Sequence, residues 1–235
     1  MKIFSTLISI HLSKIIFWVL IIATTIIGGL YYIGEPNTKW TALFCGLITG
    51  LIVAIIQFLF SWNEHRSIEK IKALGIKDIL LHRENRSFYE NLIKASKTRI
   101  DVMGVTASRF MDHFADKQSD RTETRVLLDA LARQVKVRIL VPKSEYLASV
   151  DDKGNADRAK RCFEAVVTRH DNFECRYFSH VPAHSLVVVD EECIIGPVFP
   201  DVRSKDTPCI HITASSPYAK KYLEYFDKEW TNAKT

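Results

Sequence analysis

Two long apolar stretches, separated by a short polar segment, make up most of the first quarter of the chain. The first reads IIFWVLIIATTIIGGLYYI over Ile15 to Ile33, and the second reads WTALFCGLITGLIVAIIQFLFSW over Trp40 to Trp62; neither contains a charged residue. Each is long enough to cross about 30 Å of hydrocarbon as a helix that rises about 1.5 Å per residue. The pattern predicts a hairpin of two transmembrane helices over residues 1–63. A cleaved signal peptide, the alternative, has a shorter apolar core.

Charged residues at the ends of the two stretches predict which side of the membrane they face. The connecting loop, residues 34–39, carries a single basic residue, Lys39. The flanks away from this loop carry more, namely Lys2, Lys14, Arg66, Lys70, Lys72 and Lys77. Because basic residues concentrate on the cytoplasmic side, both termini are expected in the cytoplasm, with the hairpin in a bacterial inner membrane. The lipid bilayer is therefore the first expected partner.

Small and polar residues in the second stretch predict helix association. Gly46 and Gly50 have the four-residue spacing that lets two helix backbones approach closely, and Gln57 is a polar residue within the span. One interpretation is that these residues bring several copies of the chain together in a homo-oligomer. The other is that the glycine pair packs the second helix on the first, through Gly28 and Gly29.

Hydrophobic patterns after the second stretch predict a linker and one α/β domain. Residues 64–76 are expected to be a linker that starts as a polar helix and is interrupted at Gly75, and residues 77–235 are expected to form the domain. Apolar residues at helical spacing predict helices over residues 87–95, 124–134, 155–168 and from 217 onward. Apolar runs rich in β-branched residues predict strands over residues 99–106, 135–141, 174–178, 184–190 and 193–199. The strand–helix–strand order favours parallel crossovers. The charged segment from Phe110 to Glu123 is expected to be a mobile loop or a short helix.

Composition and residue spacing limit the ligands and cofactors that the chain is expected to bind. The net charge is +5, and a mildly basic surface fits an anionic lipid leaflet or nucleic acid, although a solvated surface of mixed charge is the alternative. The five cysteines are scattered without a Cys-x-x-Cys spacing, and the histidines have no metal-ligand spacing. The chain also lacks a glycine-rich phosphate loop and a Gly-x-Ser-x-Gly motif. We therefore expect no metal and no cofactor.

Three phrases in the second part of the chain carry a resemblance to a known family. They are ALARQVKVRILVPK, HSLVVVDEECIIG and a closing SPYAKKYLEYFDKEW. Together with the order of elements they resemble the phospholipase-D-like superfamily over residues 75–232. The resemblance implies a strand that presents His-x-Lys, followed after four residues by Asp and then by a Gly-Ser pair. In active members the His attacks or protonates a phosphodiester, the Lys binds phosphate and the Asp orients the His.

The chain departs from this motif at the positions that carry the chemistry. If His184 takes the histidine position, Leu186 replaces the lysine and Asp190 comes one residue early. If Asp190 is aligned instead, Ala183 and Ser185 take the histidine and lysine positions. Both registers lose the phosphate-binding lysine, which commonly costs several kcal/mol of transition-state stabilisation. We therefore expect a degenerate, inactive domain in which His184 and Asp190 remain as a hydrogen-bonded structural pair.

The layout as a whole, a two-helix hairpin with a cytosolic domain that has lost its active site, resembles the two-transmembrane effectors of bacterial retron antiphage defence systems. That resemblance implies a toxin held inactive by an inhibitory complex of a reverse transcriptase with RNA–DNA. On release, the hairpins oligomerise and permeabilise the inner membrane. Two other interpretations stay open: a membrane-tethered phosphodiesterase, either a phospholipase or a nuclease, that acts as a homodimer, and a membrane-anchored binding module.

Overall fold

The structure is a computed structural model that describes residues 2–33, 39–83, 85–116, 122–147, 149–199 and 202–233. The chain divides into two compact units, Met1–Ile71 and Lys72–Thr235. Most of the loop predicted between the apolar stretches, residues 34–38, lies outside the described residues. The same holds for residues 117–121 of the charged segment.

The first unit consists of two helices, α1 (Lys2–Ile33) and α2 (Lys39–Ala73). Within them, Lys14–Ile33 and Ala42–Ala73 are long and apolar enough to cross a membrane. The Phe17 ring lies 6.3 Å from the rings of both Phe58 and Trp62, so the beginning of the apolar part of α1 meets the far end of the apolar part of α2. The two helices are therefore antiparallel neighbours, as the sequence predicts. Helix α2 continues past Trp62, and residues 64–76, predicted as a linker, comprise its end, a turn and the start of a strand.

The second unit is built on a mixed sheet of seven strands. The strands are β1 (Ile76–Leu80), β2 (Arg99–Met103), β3 (Lys136–Pro142), β4 (Phe173–Phe178), β5 (His184–Val189), β6 (Glu192–Pro197) and β7 (Cys209–Thr213). Their order in the sheet is β1-β7-β6-β5-β2-β3-β4. Strands β2, β3 and β4 are parallel to one another, and every other neighbouring pair is antiparallel.

Five helices accompany this sheet: α3 (Arg86–Ala95), α4 (Ser108–Phe114), α5 (Val126–Ala132), α6 (Val150–Val167) and α7 (Pro217–Asn232). Side chains at the N-caps determine where three of them begin, because each accepts a hydrogen bond from an otherwise unpaired backbone N–H group. Asn85 accepts from Phe88, Ser149 from Asp152 and Ser216 from Ala219, at 3.0–3.1 Å. The Ser149 cap starts α6 five residues before the predicted position.

The core of the second unit has two layers, one on each face of the sheet. Helices α3 to α6 cover one face, with Leu127, Leu131 and Phe163 packed on Val137 and Ile139. Helix α7 covers the other face. There its aromatic residues Phe226 and Trp230 pack in one cluster with alternate residues of β5 and β6, namely Leu186, Val188 and Ile195. The aromatic residues of α7 therefore serve core packing.

The predicted α/β class is confirmed for this unit, and all five predicted strands are present. The parallel pairing of β2 with β3 agrees with the predicted crossover. Two strands were missed, β1 and β7, which pair with each other although more than a hundred residues separate them. In the charged segment, the described residues include the short helix α4.

Candidate functional site

One edge of the sheet gathers most of the candidate residues of the second unit. Strands β2, β3 and β4 end there, and β5 begins there, because Met103 at the end of β2 pairs with Leu186 near the start of β5. We call this the carboxyl edge. At β2 the parallel half of the sheet meets the antiparallel half, and such a change of direction opens a crevice in many α/β proteins.

His184 is the first residue of β5 and faces α7. Its ring lies 5.2 Å from the ring of Tyr222 and 5.0 Å from the ring of Tyr225. The Nε2 atom is buried and has no hydrogen-bond partner among the residues that the structure describes. Burial disfavours the charged imidazolium and lowers the pKa of His184, so the ring is neutral at pH 7.

A second histidine lies beside the same tyrosine. The Nε2 atom of His180 is 3.0 Å from a Glu229 carboxylate oxygen and 3.4 Å from the Tyr225 hydroxyl, while its Nδ1 atom is 3.1 Å from the Val181 carbonyl oxygen. Burial alone lowers the pKa of His180, but its hydrogen bonds with Val181 and Glu229 outweigh that effect and raise it. Sequence analysis did not select His180, because its partner Glu229 lies on a helix forty-nine residues further along the chain.

Asp190 lies at the opposite end of β5, roughly 20 Å from His184 at about 3.3 Å per residue. Its backbone is left-handed, with φ of 52°. Its carboxylate accepts hydrogen bonds from the backbone N–H groups of Lys97, Thr98 and Arg99 at 2.7–3.0 Å and from the Thr98 hydroxyl. Burial raises the pKa of Asp190, but these hydrogen bonds lower it overall. The expected His184–Asp190 pair is therefore wrong, since an extended strand holds its two ends apart.

A half-buried cation that the sequence pattern did not reveal lies on the other face of β5. The Arg83 guanidinium donates through Nη1 to the Ser185 hydroxyl and through Nη2 to the Pro197 carbonyl oxygen at 2.8 Å. A Cβ atom at Gly196 would clash with Arg83 Nη2 and would lie 2.6 Å from the Pro208 carbonyl oxygen, so this position accepts only glycine. The Arg83 backbone N–H donates to the Lys205 carbonyl oxygen at 2.9 Å.

Neutral groups surround this guanidinium. Burial lowers the pKa of Arg83, an effect partly offset by the Cys209 thiol and the Tyr89 hydroxyl beside it. The same burial raises the pKa of Cys209 and of Tyr89, so both groups stay protonated at pH 7. The motif lysine is absent, as the sequence shows, but Arg83 brings a cation to Ser185 from elsewhere in the chain. In the sequence, the glycine at position 196 is the local sign that another part of the chain approaches this strand closely.

In the hairpin, the association residues lie on one face of α2. At about 100° per residue, Gly46, Gly50 and Gln57 fall within about 40° of one another. Phe58 and Trp62, which meet α1, lie about 100–140° from Gln57 around the helix. We call the set Gly46, Gly50 and Gln57 the glycine–glutamine face.

No described atom lies within 4 Å of a Cβ built on Gly46 or Gly50, and the same is true of Gly28 and Gly29. The interpretation in which the glycine pair packs the second helix on the first is therefore wrong for the described residues. Gln57 is exposed, and its amide has no hydrogen-bond partner among the described residues. The neighbouring Thr49 hydroxyl is satisfied within its own helix, because it donates to the Cys45 carbonyl oxygen at 2.9 Å.

Within the described ranges, no group of three or more His, Cys, Asp or Glu side chains is placed to hold a metal ion. All five cysteines, Cys45, Cys162, Cys175, Cys193 and Cys209, are free thiols.

No family model and no curated protein sequence matches the chain. Among solved structures the chain is similar to TrmBL2, an archaeal chromatin protein whose structure is described as showing a novel mode of DNA binding. The identity is 13% and the TM-score is 0.46, and the match covers 85% of this chain and 71% of that one. A likeness this distant carries no argument about the fold or function of the chain.

Proposed function

We propose that the chain is a membrane effector of a bacterial antiphage defence system, of the kind that accompanies retrons. Its two apolar helices cross the inner membrane with both termini in the cytoplasm. The second unit is a phospholipase-D-like domain that binds and senses but does not catalyse. An inhibitory complex of a reverse transcriptase with RNA–DNA holds the effector silent. On release, the hairpins oligomerise and permeabilise the membrane.

The observation that carries this proposal is the unoccupied glycine–glutamine face. The faces that α1 and α2 use for each other differ from the face that holds Gly46, Gly50 and Gln57. A glycine surface lets a second helix approach within backbone contact, which lipid chains do not reward. A polar amide in hydrocarbon favours a protein or water partner. Both features support contact between copies of the chain.

The second unit supports a non-catalytic role. His184 faces α7, while Arg83, which bonds to Ser185 of β5, is on the other face of the sheet. A phosphodiesterase needs its nucleophile and its phosphate-binding cation at the same substrate atom. The alternative of a membrane-tethered phosphodiesterase acting as a homodimer therefore has less support.

Replacing both Gly46 and Gly50 with Leu tests the proposal. The added side chains carry no charge, so the helix still inserts, but the close backbone approach is blocked. We expect the double variant, at equal membrane abundance, to lose the entry of a membrane-impermeant dye that the wild type causes when expressed without its inhibitor. The matched control replaces both Gly28 and Gly29 with Leu, which adds the same bulk at equally open positions on α1.

Thiol crosslinking shows whether the glycines act between chains. Cys45 is exposed and adjoins Gly46, so a membrane-permeant thiol crosslinker should yield dimers of the wild type. These dimers should disappear in the double glycine variant and in the Cys45→Ser control. Unchanged dye entry together with unchanged crosslinking in the double variant contradicts the proposal.

A further inference from the structure

We infer that Arg83 and Ser185 form a binding site for a small oxyanion of the phosphate type at the carboxyl edge of the sheet. The inference goes beyond the proposed membrane function and does not depend on it. It concerns binding alone, since no reaction is assigned to this site.

The first observation is a surplus of hydrogen-bond donors. A guanidinium has five N–H donors. In Arg83, Nη1 donates to Ser185 and Nη2 to the Pro197 carbonyl, while the buried Nε has no partner in the described part of the chain. The Ser185 hydroxyl accepts from Arg83, and its own proton has no acceptor among the described residues. Groups that accept several donated hydrogen bonds at once are oxyanions.

The second observation is the missing counter-charge. Two other partly buried arginines of this unit bond to carboxylates: Arg138 lies 2.7 Å and 2.8 Å from the two oxygens of Asp101, and Arg176 lies 3.4 Å from Glu174. No carboxylate among the described residues bonds to Arg83. A charge taken out of water without an opposite charge is costly, so the site favours a bound anion.

The third observation is that the guanidinium is held in place before any ligand arrives. The Arg83 guanidinium lies so close to Gly196 that no side chain fits there. The Pro197 carbonyl oxygen accepts a hydrogen bond from the guanidinium, and the Lys205 carbonyl oxygen accepts one from the Arg83 backbone N–H group. A donor set that is already ordered loses little entropy when a ligand binds. The half-buried position of Arg83 suits a small anion or the terminal phosphate of a larger ligand.

The chemistry of these donors selects the ligand. A guanidinium offers parallel N–H groups that match two oxygens of a phosphate, and the Ser185 hydroxyl adds a neutral donor. The imidazole of His184 lies on the other face of β5, against Tyr222 and Tyr225. The bound anion is therefore held and not cleaved at this site.

Titration of the full chain in detergent micelles with inorganic phosphate, at constant ionic strength and with chloride as the reference, tests the inference. We expect phosphate, but not chloride, to raise the melting temperature. Arg83→Gln should weaken phosphate binding about tenfold or more, because a charge-assisted hydrogen bond is lost. The matched control is Arg169→Gln, which removes the same charge from an exposed residue and should leave phosphate binding unchanged.

Two further measurements keep the test decisive. If Arg83→Gln does not fold, Ser185→Ala, which leaves the cation in place, must weaken phosphate binding several-fold. AMP and glycerol phosphate, compared at equal concentration, distinguish a nucleotide from a lipid precursor as the source of the phosphate. Phosphate that stabilises no more than chloride, or that binds equally to the wild type and the folded variants, overturns the inference.

Discussion

His184 and Ser185 are adjacent in β5, yet their side chains serve opposite layers of the domain. The His184 ring contacts Tyr222 and Tyr225 of α7, whereas the Ser185 hydroxyl accepts a hydrogen bond from Arg83 on the other face. The cause is the alternation of side chains along a strand. The His184 imidazole and the Arg83 guanidinium therefore cannot meet at one substrate atom.

The first prediction follows from this separation. Under the proposed function, His184→Ala should leave the toxicity of the chain unchanged, because the Arg83 guanidinium lies on the opposite face of β5 from the imidazole. Growth arrest and dye entry after expression without the inhibitor measure the toxicity, with membrane abundance determined in parallel.

A deletion of residues 1–63 supplies the opposite control, since it removes both apolar stretches and should abolish toxicity. If His184→Ala reached the membrane normally but lost toxicity, the second unit would have a catalytic role. A toxic fragment that lacks the apolar stretches would point to a nuclease.

Much of the fold could be predicted because local patterns determine it. The run Val135 to Val141 is apolar enough to identify a central strand, and the aromatic spacing of α7 identifies a helix with one buried face. Strand β1 escaped prediction, because it carries Lys77 and Asp78 within five residues at the edge of the sheet. Its pairing with β7 depends on contacts across the whole domain.

The candidate site was less predictable than the fold. Arg83 reaches Ser185 and Pro197, which lie 102 and 114 residues further along the chain, and spacing in the sequence does not reveal such contacts. The supposed pair of His184 and Asp190 was selected by motif spacing. An extended strand of this length places these residues at opposite edges of the sheet.

The second prediction concerns pH. Burial lowers the folded-state pKa of His184, so its neutral form favours folding above the unfolded pKa of about 6.5. That contribution is lost as the pH falls toward the folded pKa. His184→Leu should therefore show a smaller drop in melting temperature than the wild type between about pH 8 and pH 5.5.

His180 provides the contrasting case, because its folded-state pKa is raised. Its contribution to stability is present below the unfolded pKa and is lost as the pH rises through the folded pKa. The melting temperature of His180→Gln should accordingly fall further below that of the wild type at acidic pH than at alkaline pH. Equal pH profiles for both variants and the wild type would refute this assignment.

The third prediction concerns Gly75, which ends the turn between α2 and β1. Its φ is +77°, and a Cβ atom there would lie 2.3 Å from the Ser216 Cβ at the start of α7. Gly75→Ala should lower the free energy of unfolding of the second unit by more than about 1–2 kcal/mol, the cost of the left-handed backbone alone.

Gly154→Ala is the matched control. Gly154 lies in the exposed part of α6 with no described atom near a new Cβ, so the substitution should stabilise by about 0.5–1 kcal/mol. Similar melting temperatures for the two variants would contradict this account.

The last prediction concerns Gln57, whose amide shares a face of α2 with Gly46 and Gly50. Under the proposed function this amide hydrogen-bonds to a neighbouring copy or to water within the assembly, since the described residues of its own chain offer no partner. A hydrogen bond between membrane helices contributes about 0.6–2 kcal/mol. Gln57→Leu should therefore insert normally but weaken association, so that dye entry requires more protein in the membrane than the wild type needs.

The conservative variant Gln57→Asn separates the amide from the volume of the side chain. It keeps a donor and an acceptor on the same face and should retain dye entry at intermediate protein levels. If Gln57→Leu and the wild type permit equal dye entry at equal abundance, the amide is not part of the contact between copies. Backbone contact at the two glycines would then have to supply the association, and the double glycine variant would show the larger loss, because it changes the distance between helices rather than one hydrogen bond.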